Sequence, residues 1–413
     1  NVDSSRARVA HHVTPTHTEQ FCLTASRPAA LYLEKPGMRI SVVSIAGVEL
    51  AELAAEPYWS LREVLVALRE QRVEKQNVSA RILHGMAELS AGTSLADIGV
   101  AEGSQLTLIF LPPLFIVTAC EDGTAKLWST ATGECLHTLE GHKGGVNSAV
   151  FSPDGHEVLT ASDDWTAKLW STASGECLRT FAGHARAVRS AVFSPDGQEV
   201  LTASYDGAKK LWSAASGACL RTLEGHRQCV RSAVFSPDGQ EVLAASDDYS
   251  AKLWSAASGE CLRIFEGHQD VVRSAVFSPD GKSVLTASED CTAKLWSAAS
   301  GECLHTFEGH EHWVRSALFS PDGQKVLTAS DDCSAKLWSA ASGECLRSLG
   351  GHQNGVNSAA FSPDGQEVLT VSQNGTAKLW GAASGECLRV LEGHQKWVRS
   401  ATFSPDGQEV LTA

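Results

Sequence analysis

The chain has 413 residues, 43% hydrophobic and 20% charged, a balance that fits a soluble globular protein with room for more than one domain. Its 48 acids against 34 bases give a net charge of −14, which argues against a nucleic-acid partner, because neutralising phosphates needs a basic surface. No apolar run approaches the roughly 18 residues of a membrane span, so no membrane contact is expected.

Residues 1–37 lack the apolar core of a secretory signal, and their Ser, Thr, His and Pro content leaves too little to bury. They are expected to be a disordered or non-native leader, with folding starting at Met38, the first methionine.

Residues 38–110 have a different texture. The stretch "MRISVVSIAGVEL" from Met38 reads as two strands turning at Gly47. Ser60 to Glu63 forms a capping box ahead of Leu61, Val64, Leu65 and Leu68, whose spacing makes one apolar helix face. "ARILHGMAELSAGTSLADIGVAEGSQLTLIF" then completes a pattern that resembles ubiquitin. The resemblance implies an α+β ubiquitin-like (β-grasp) domain. It places Ile45, Leu83 and Ile109 at ubiquitin's exposed recognition patch, and Ile40, Val42, Ile82, Leu106 and Leu108 in the inward phase. The Gly-Gly tail of ubiquitin is replaced by Leu111-Pro112-Pro113-Leu114, so the domain is expected to be a fixed module on a short Pro linker, 111–114, rather than a conjugated modifier.

From 115 to 413 the sequence repeats. The Trp of "KLW" falls at 128, 170, 212, 254, 296, 338 and 380, a period of 42 without insertion. Each unit offers four short strands, "VRSAVFS" (a), "EVLTAS" (b), "TAKLW" (c) and "CLRTLEG" (d), with "SPDG" and "DDGT"-like turns between them. A single four-stranded unit cannot bury both faces, so neighbours must stack. With Gly-His near its start and Ser-x-Asp-x-Thr before the Trp, the unit resembles a WD repeat. The resemblance implies a mainly β chain with a seven-bladed WD-repeat β-propeller over 115–413.

It also implies a His, Ser, Asp and Trp tetrad in each blade. The sets are His142, Ser162, Asp164 and Trp170; His184, Ser204, Asp206 and Trp212; His226, Ser246, Asp248 and Trp254. They continue with His268, Ser288, Asp290 and Trp296; His310, Ser330, Asp332 and Trp338; and His352, Ser372, Asn374 and Trp380. Such a constellation in every repeat is scaffold, not a catalytic triad. The Asp after the Trp, for which the family is named, is here Ser or Gly381, which removes the box by which some such propellers dock on cullin ligase adaptors. Asn374 stands where the other repeats carry Asp.

There are eight candidates for strand b against seven for the others. Strand a near Val398–Phe403 is expected to close onto the N-terminal c and d strands, with 115–119 supplying b in preference to 409–413. His394 would there meet Cys120, Asp122 and Trp128.

Seven of the twelve cysteines (Cys135, Cys177, Cys219, Cys261, Cys303, Cys345, Cys387) recur one unit apart, too far for disulfides, and are expected to be reduced, half-buried residues opening strand d. Reduced thiols suggest the cytoplasm, with the nucleus open. No C-x-x-C pair exists, so neither a metal nor any other cofactor is expected.

Comparing the repeats with one another locates a binding face. The turns "SPDGQE" and "ASGEC" barely vary. Variation concentrates in the three residues after Gly-His (KGG, ARA, RQC, QDV, EHW, QNG, QKW) and in the b–c turn at Gly123, Trp165, Gly207, Tyr249, Cys291, Cys333 and Gly375. In propeller topology the d–a and b–c loops share one face, which points to a client-binding surface on a fixed frame. Its candidate contacts are Trp165, Arg186, Arg189, Tyr205, Tyr249, Trp313 and Trp397. Arg231, Arg273, Arg315 and Arg399 each face an acid (Asp247, Glu289, Asp331 and Glu121) and suit ion pairs. Arg189 faces Tyr205, so with Trp165, Arg186 and Tyr205 it forms the expected hot spot, unless Asp163 reaches it across the blade boundary.

The function expected is a non-enzymatic adaptor, monomeric, whose propeller holds a protein or peptide client and whose small domain contacts ubiquitin-system receptors. The alternative is a general assembly scaffold with no ubiquitin-system role. An enzyme has only Cys229, Cys291 and Cys333 near the variable face to recommend it, with no paired base.

Overall fold

In the computed structural model the described residues are 38–44, 49–59, 64, 79–84, 87–88, 94–101, 104–111, 115–129, 134–392, 398, 400–403 and 410–412. The chain divides into two compact units, the second beginning at Ile116. The expectations for residues 1–37, Gly47, Ser60–Glu63, the helix-face residues Leu61, Leu65 and Leu68, and Pro112 to Leu114 lie outside the described residues.

The first unit is a five-stranded sheet of β1 (Met38–Ser44), β2 (Glu49–Ala55), β3 (Ser79–His84), β4 (Ala87–Glu88) and β5 (Gln105–Leu111), in the order β2-β1-β5-β3-β4. Strands β1 and β5 run parallel in the centre, which requires a crossover between them, while the outer pairings are antiparallel. The period of two sets the faces. Ile40 pairs with Leu53 and Val42 with Leu106, and all four side chains are buried; Ile40, Val42 and Leu106 are in the inward phase as expected, while the side chains of Ile82 and Leu108 lie outside the described residues. Val64, which has helical backbone, and Leu95 are buried too.

Among the described residues the second unit contains six complete four-stranded antiparallel sheets, each with its strands in sequence order a-b-c-d. Sheet 1 comprises Val146–Phe151, Glu157–Ser162, Thr166–Ser171 and Cys177–Ala182. Sheets 2 to 6 repeat it, starting at Val188, Val230, Val272, Val314 and Val356. Sequence and structure agree on the turns. In "SPDG", Asp154 accepts from Ser152 Oγ at 2.6 Å and from the His156 N–H at 3.0 Å, and Gly155 takes φ 73°, a left-handed value that suits glycine.

Strand b is buried from its second residue on because it sits between its own neighbours and the adjoining sheet. Leu159, Ala161, Leu169 and Phe181 of sheet 1 form one core with Val188, Ala191, Val200 and Trp212 of sheet 2. Phe181 and Trp212 meet with ring centroids 5.7 Å apart. At the c–d end, Arg179 donates from Nε and Nη2 to the Ala215 carbonyl of the next sheet, at 3.1 and 2.9 Å. Arg263 and Arg347 repeat this onto Ala299 and Ala383. Val150, Phe151 and Pro153 of sheet 1 and their equivalents through Phe361 of sheet 6 line a single apolar cavity of about 730 Å³. Equivalent residues of six consecutive sheets meet there, so the sheets radiate from one axis with strand a innermost.

Two expectations are corrected. The chain's ends do not share one sheet among the described residues: Phe115–Ala119, Ala125–Ser129 and Cys135–Leu139 form a three-stranded sheet, while Ala401–Phe403 pairs with Val410–Thr412. Each candidate b strand pairs with its own neighbour in sequence, since a hairpin partner is supplied at low loop-closure cost whereas the distant one is not. Strand 115–119 does join c, as expected. His394 lies outside the described residues. The seven repeat cysteines are exposed, not half-buried, because strand d is the outer edge of each sheet. Cys177, for example, reaches just its own strand, the carbonyl of Arg179 at 3.3 Å and Thr180 Oγ1 at 3.8 Å.

Candidate functional site

The variable residues lie together because a repeated set of bonds joins each b–c turn to the d–a loop before it. In sheet 1 the Asp163 N–H donates to the Gly145 carbonyl at 2.9 Å, Ser162 Oγ donates to the Gly144 carbonyl at 3.0 Å, and Asp164 Oδ2 accepts the Lys143 N–H at 2.9 Å. Tyr205, Asp247, Glu289, Asp331 and Gln373 make the first of these bonds in the other sheets.

Beneath this face lies a hydrogen-bonded chain that corrects the expected tetrad. His142 Nδ1 is 2.8 Å from Asp164, and His142 Nε2 is 2.7 Å from Thr160 Oγ1, which also accepts the Trp170 indole N–H at 2.8 Å. The hydroxyl is therefore Thr160, not Ser162. Thr202, Thr286, Thr328 and Thr370 take the same part, not Ser204, Ser288, Ser330 and Ser372. Trp170 pairs with Val158 across the strands, so position 162 is four residues along, about 13 Å, beyond the reach of the indole. The serines instead bind the d–a carbonyls and the Asp backbone, Ser162 and Ser246 included.

Donor accounting fixes the tautomer. Asp164 can only accept, so His142 Nδ1 carries the proton, Thr160 O–H donates to Nε2, and the indole donates to Thr160. Burial opposes ionisation of Asp164, but bonds from Thr166, the Lys143 amide and His142 outweigh it and hold its pKa at about 2. His142 and His184 are pushed down by burial, against the pull of their aspartates. In sheet 6, Asn374 supplies no carboxylate. His352 Nδ1 turns to Thr376 Oγ1 at 3.2 Å, and burial, with Lys378 adding to it, lowers its pKa to about 4. In sheet 3 the position of the threonine is Ala244. Trp254 donates instead to the Glu224 carbonyl at 3.2 Å, and His226 keeps Asp248 at 2.8 Å.

On the surface, Trp165, Tyr249, Cys291 and Cys333 hold φ of 72°, 67°, 71° and 67° at the turn position where Gly123, Gly207 and Gly375 stand in other repeats. A side chain in that region costs about 1–2 kcal/mol. Trp165 is nonetheless 55% exposed and Tyr249 46%. Arg186 is exposed nearby in sequence, and Trp313 is half-buried.

The expected ion pairs are present for Arg231 with Asp247, Arg273 with Glu289 and Arg315 with Asp331. Arg399 and Trp397 lie outside the described residues. The expected hot spot is corrected. Tyr205 is engaged by Arg231: its ring lies 5.5 Å from the Arg231 guanidinium, and its hydroxyl accepts from Arg231 Nη1 at 3.3 Å. Arg189 is neither free nor ion-paired with Asp163. Its Nη1 donates to Asn147 Oδ1 at 2.9 Å, and Asn147 Nδ2 donates to Asp163 at 2.7 Å, a relay across the sheet boundary. Trp313 is likewise engaged, 5.4 Å from the Arg273 guanidinium. Asn147 faces Asp163, as the repeat spacing places it, but sequence reasoning missed it as the partner of Arg189, and missed the threonines, although they recur at one repeat position.

In the first unit, Arg81 pairs with Ile109 and Leu83 with Thr107, so positions 83 and 109 lie on the sheet face opposite to that of the buried Leu106. Their side chains, and Ile45 altogether, lie outside the described residues. Among the described residues no group of three or more His, Cys, Asp or Glu is arranged to hold a metal ion. The Cys291 thiol, of the three near the variable face, is pushed up by burial and then by Asp290, against nucleophilic use.

Residues 229–412 match the family described as IFT122 first beta-propeller, and residues 133–171 and 175–213 match the WD domain, G-beta repeat. The chain carries WD40 repeats and a β-propeller domain. A stretch of 43 residues is 49% identical to the Ribosome biogenesis protein WDR12 homolog of Oryza sativa, covering 10% of either chain. Another of 45 residues is 40% identical to the Nuclear distribution protein PAC1 of Mycosarcoma maydis, 11% of this chain and 10% of that one. One of 35 residues is 54% identical to the Probable E3 ubiquitin ligase complex SCF subunit sconB of Aspergillus niger, 8% of this chain and 5% of that one. The matched stretches thus span about a tenth or less of these relatives.

Proposed function

We propose that this protein is a non-enzymatic adaptor of the cytoplasm: the d–a and b–c loop face of its propeller binds a protein or peptide client, and its first unit is a ubiquitin-like domain that contacts ubiquitin-system receptors. Proteins built from WD40 repeats act as protein-interaction scaffolds, which supports the first part. The observation that carries it is the pair of exposed aromatic side chains, Trp165 and Tyr249, held in left-handed turns where glycine would be unstrained. Strain kept in a turn while its side chain points to solvent gives the fold nothing, so a contact outside the fold accounts for it. The uniform "SPDG" turns show the opposite economy, with glycine wherever φ is positive.

The second part is supported by the strand order β2-β1-β5-β3-β4 with a parallel central pair, which is the β-grasp order the ubiquitin resemblance implies. Leu83 and Ile109 share a face away from Leu106, as a recognition patch needs. The Aspergillus relative is by its name a probable subunit of a ubiquitin ligase complex, which agrees with such a role. The test is capture with the two units expressed separately. An adaptor needs each to retain a different partner. Recovery of one shared set by both would leave a plain scaffold.

A further inference from the structure

We propose that Lys209 and His226 form a proton-sensitive latch between sheets 2 and 3, whose opening releases the loop Arg227–Cys229 on the variable face. Two departures from the repeat meet here. Lys209 stands where the other repeats carry Ala125, Ala167, Ala251, Ala293, Ala335 and Ala377, and Ala244 stands where the others place a threonine. The lysine is fully buried, with Nζ 3.8 Å from the centroid of the Trp254 ring. Neither Lys209 Nζ nor His226 Nε2 has a hydrogen-bond partner among the described residues. A threonine at 244 would have supplied His226 with its usual hydroxyl. Two buried nitrogens in one place, unsatisfied together, are costly to a fold and are retained here by paired substitutions.

Lys209 leaves strand c of sheet 2 and meets sheet 3. The charged and titratable groups acting on it are Lys252, which repels a proton there, Asp248, Cys261 and Asp206, which attract one, and His226. Burial outweighs the attractions and, with Lys252, lowers the Lys209 pKa to about 7. His226 is lowered by burial, against Asp248. With the latch open, the lysine is solvated and returns towards its ordinary value near 10.4. Between about pH 10 and 7 the open form therefore binds a proton that the closed form does not, and opening becomes easier as pH falls. Below about 6.5 His226 adds to the same trend. The loop depends on this site, because Asp248 Oδ2 holds both His226 Nδ1 and the Arg227 N–H, at 2.8 and 3.1 Å. The consequence for a client rests on the adaptor reading; the latch itself does not.

Native-state hydrogen exchange on the full chain, corrected for intrinsic exchange, tests it between pH 9 and 7. Amides of 209–213 and 226–230 should lose protection by up to about tenfold per pH unit. The equivalent amides of sheets 4 and 5, around Ala293 and His310, serve as internal control and should stay level. Lys209→Ala restores the repeat residue, and Lys209→Met keeps the length of the stem; both should abolish the slope. An unchanged slope in both variants, or an equal slope at the control boundary, overturns the latch. A slope abolished as expected, with client affinity independent of pH, would retain the latch and reject its link to binding.

Discussion

Thr328 Oγ1 accepts the indole N–H of Trp338 at 2.9 Å while standing 2.7 Å from His310 Nε2, so one hydroxyl satisfies two buried rings. Thr328→Ala should cost about 1–3 kcal/mol, because it strands both the indole N–H and the imidazole. Ser330→Ala removes bonds only to the His312 carbonyl and the Asp332 amide, nearer the loop, and should cost less. Urea unfolding of the two variants checks the order; the reverse order would return the tetrad to the serines.

Sheet 6 should be a weak sector of the complete sheets, along with the sheet 2–3 boundary, since His352 lacks a carboxylate. Its pKa is lowered to about 4, so the neutral ring is what the fold accommodates. The sign follows: the unfolded chain takes up the proton first, and stability is lost as pH falls from about 6.5 towards 4. Asn374→Asp should flatten this part of the profile and raise amide protection around 370–380. Finding sheet 6 the best protected in the wild type would refute the assignment.

Trp165→Gly should stabilise the propeller by up to about 1 kcal/mol, by relieving φ 72°, while weakening client binding. Thermal unfolding and titration with the captured client read the two effects separately. A destabilised Trp165→Gly protein would mean that the indole packs on the fold and is not kept for a partner.

Leu83→Ala should abolish receptor binding by the first unit without unfolding it, since position 83 faces away from the Leu106 side of the sheet. Circular dichroism and a binding assay on the full chain suffice. If the substitution unfolds the domain, Leu83 belongs to a core and the receptor role fails.

The strand repeat was readable because hydrophobic alternation and turn chemistry agree at every unit: "EVLTAS" appears as strand b, buried from its second residue on, and "SPDG" as the turn before it. The three in-sheet ion pairs followed from charge at fixed spacing. The tetrad hydroxyl was misplaced because Thr160 and Ser162 share one strand phase, and only the distance to Trp170 separates them. Arg189 was misread because its partner, Asn147, is a neutral residue on another sheet, which charge bookkeeping within one repeat does not see. Exposure of the cysteines depends on strand d being the outer edge, a property of stacking and not of the strand itself.

The most direct measurement of the adaptor reading is client affinity for paired variants on the two faces. Trp165→Ala and Tyr249→Ala, on the variable face, should each weaken binding tenfold or more, about 1.4 kcal/mol. Gln198→Ala and Gln240→Ala, in the uniform turns, should leave it unchanged. Equal losses on both faces, or loss only from the uniform turns, would contradict the account.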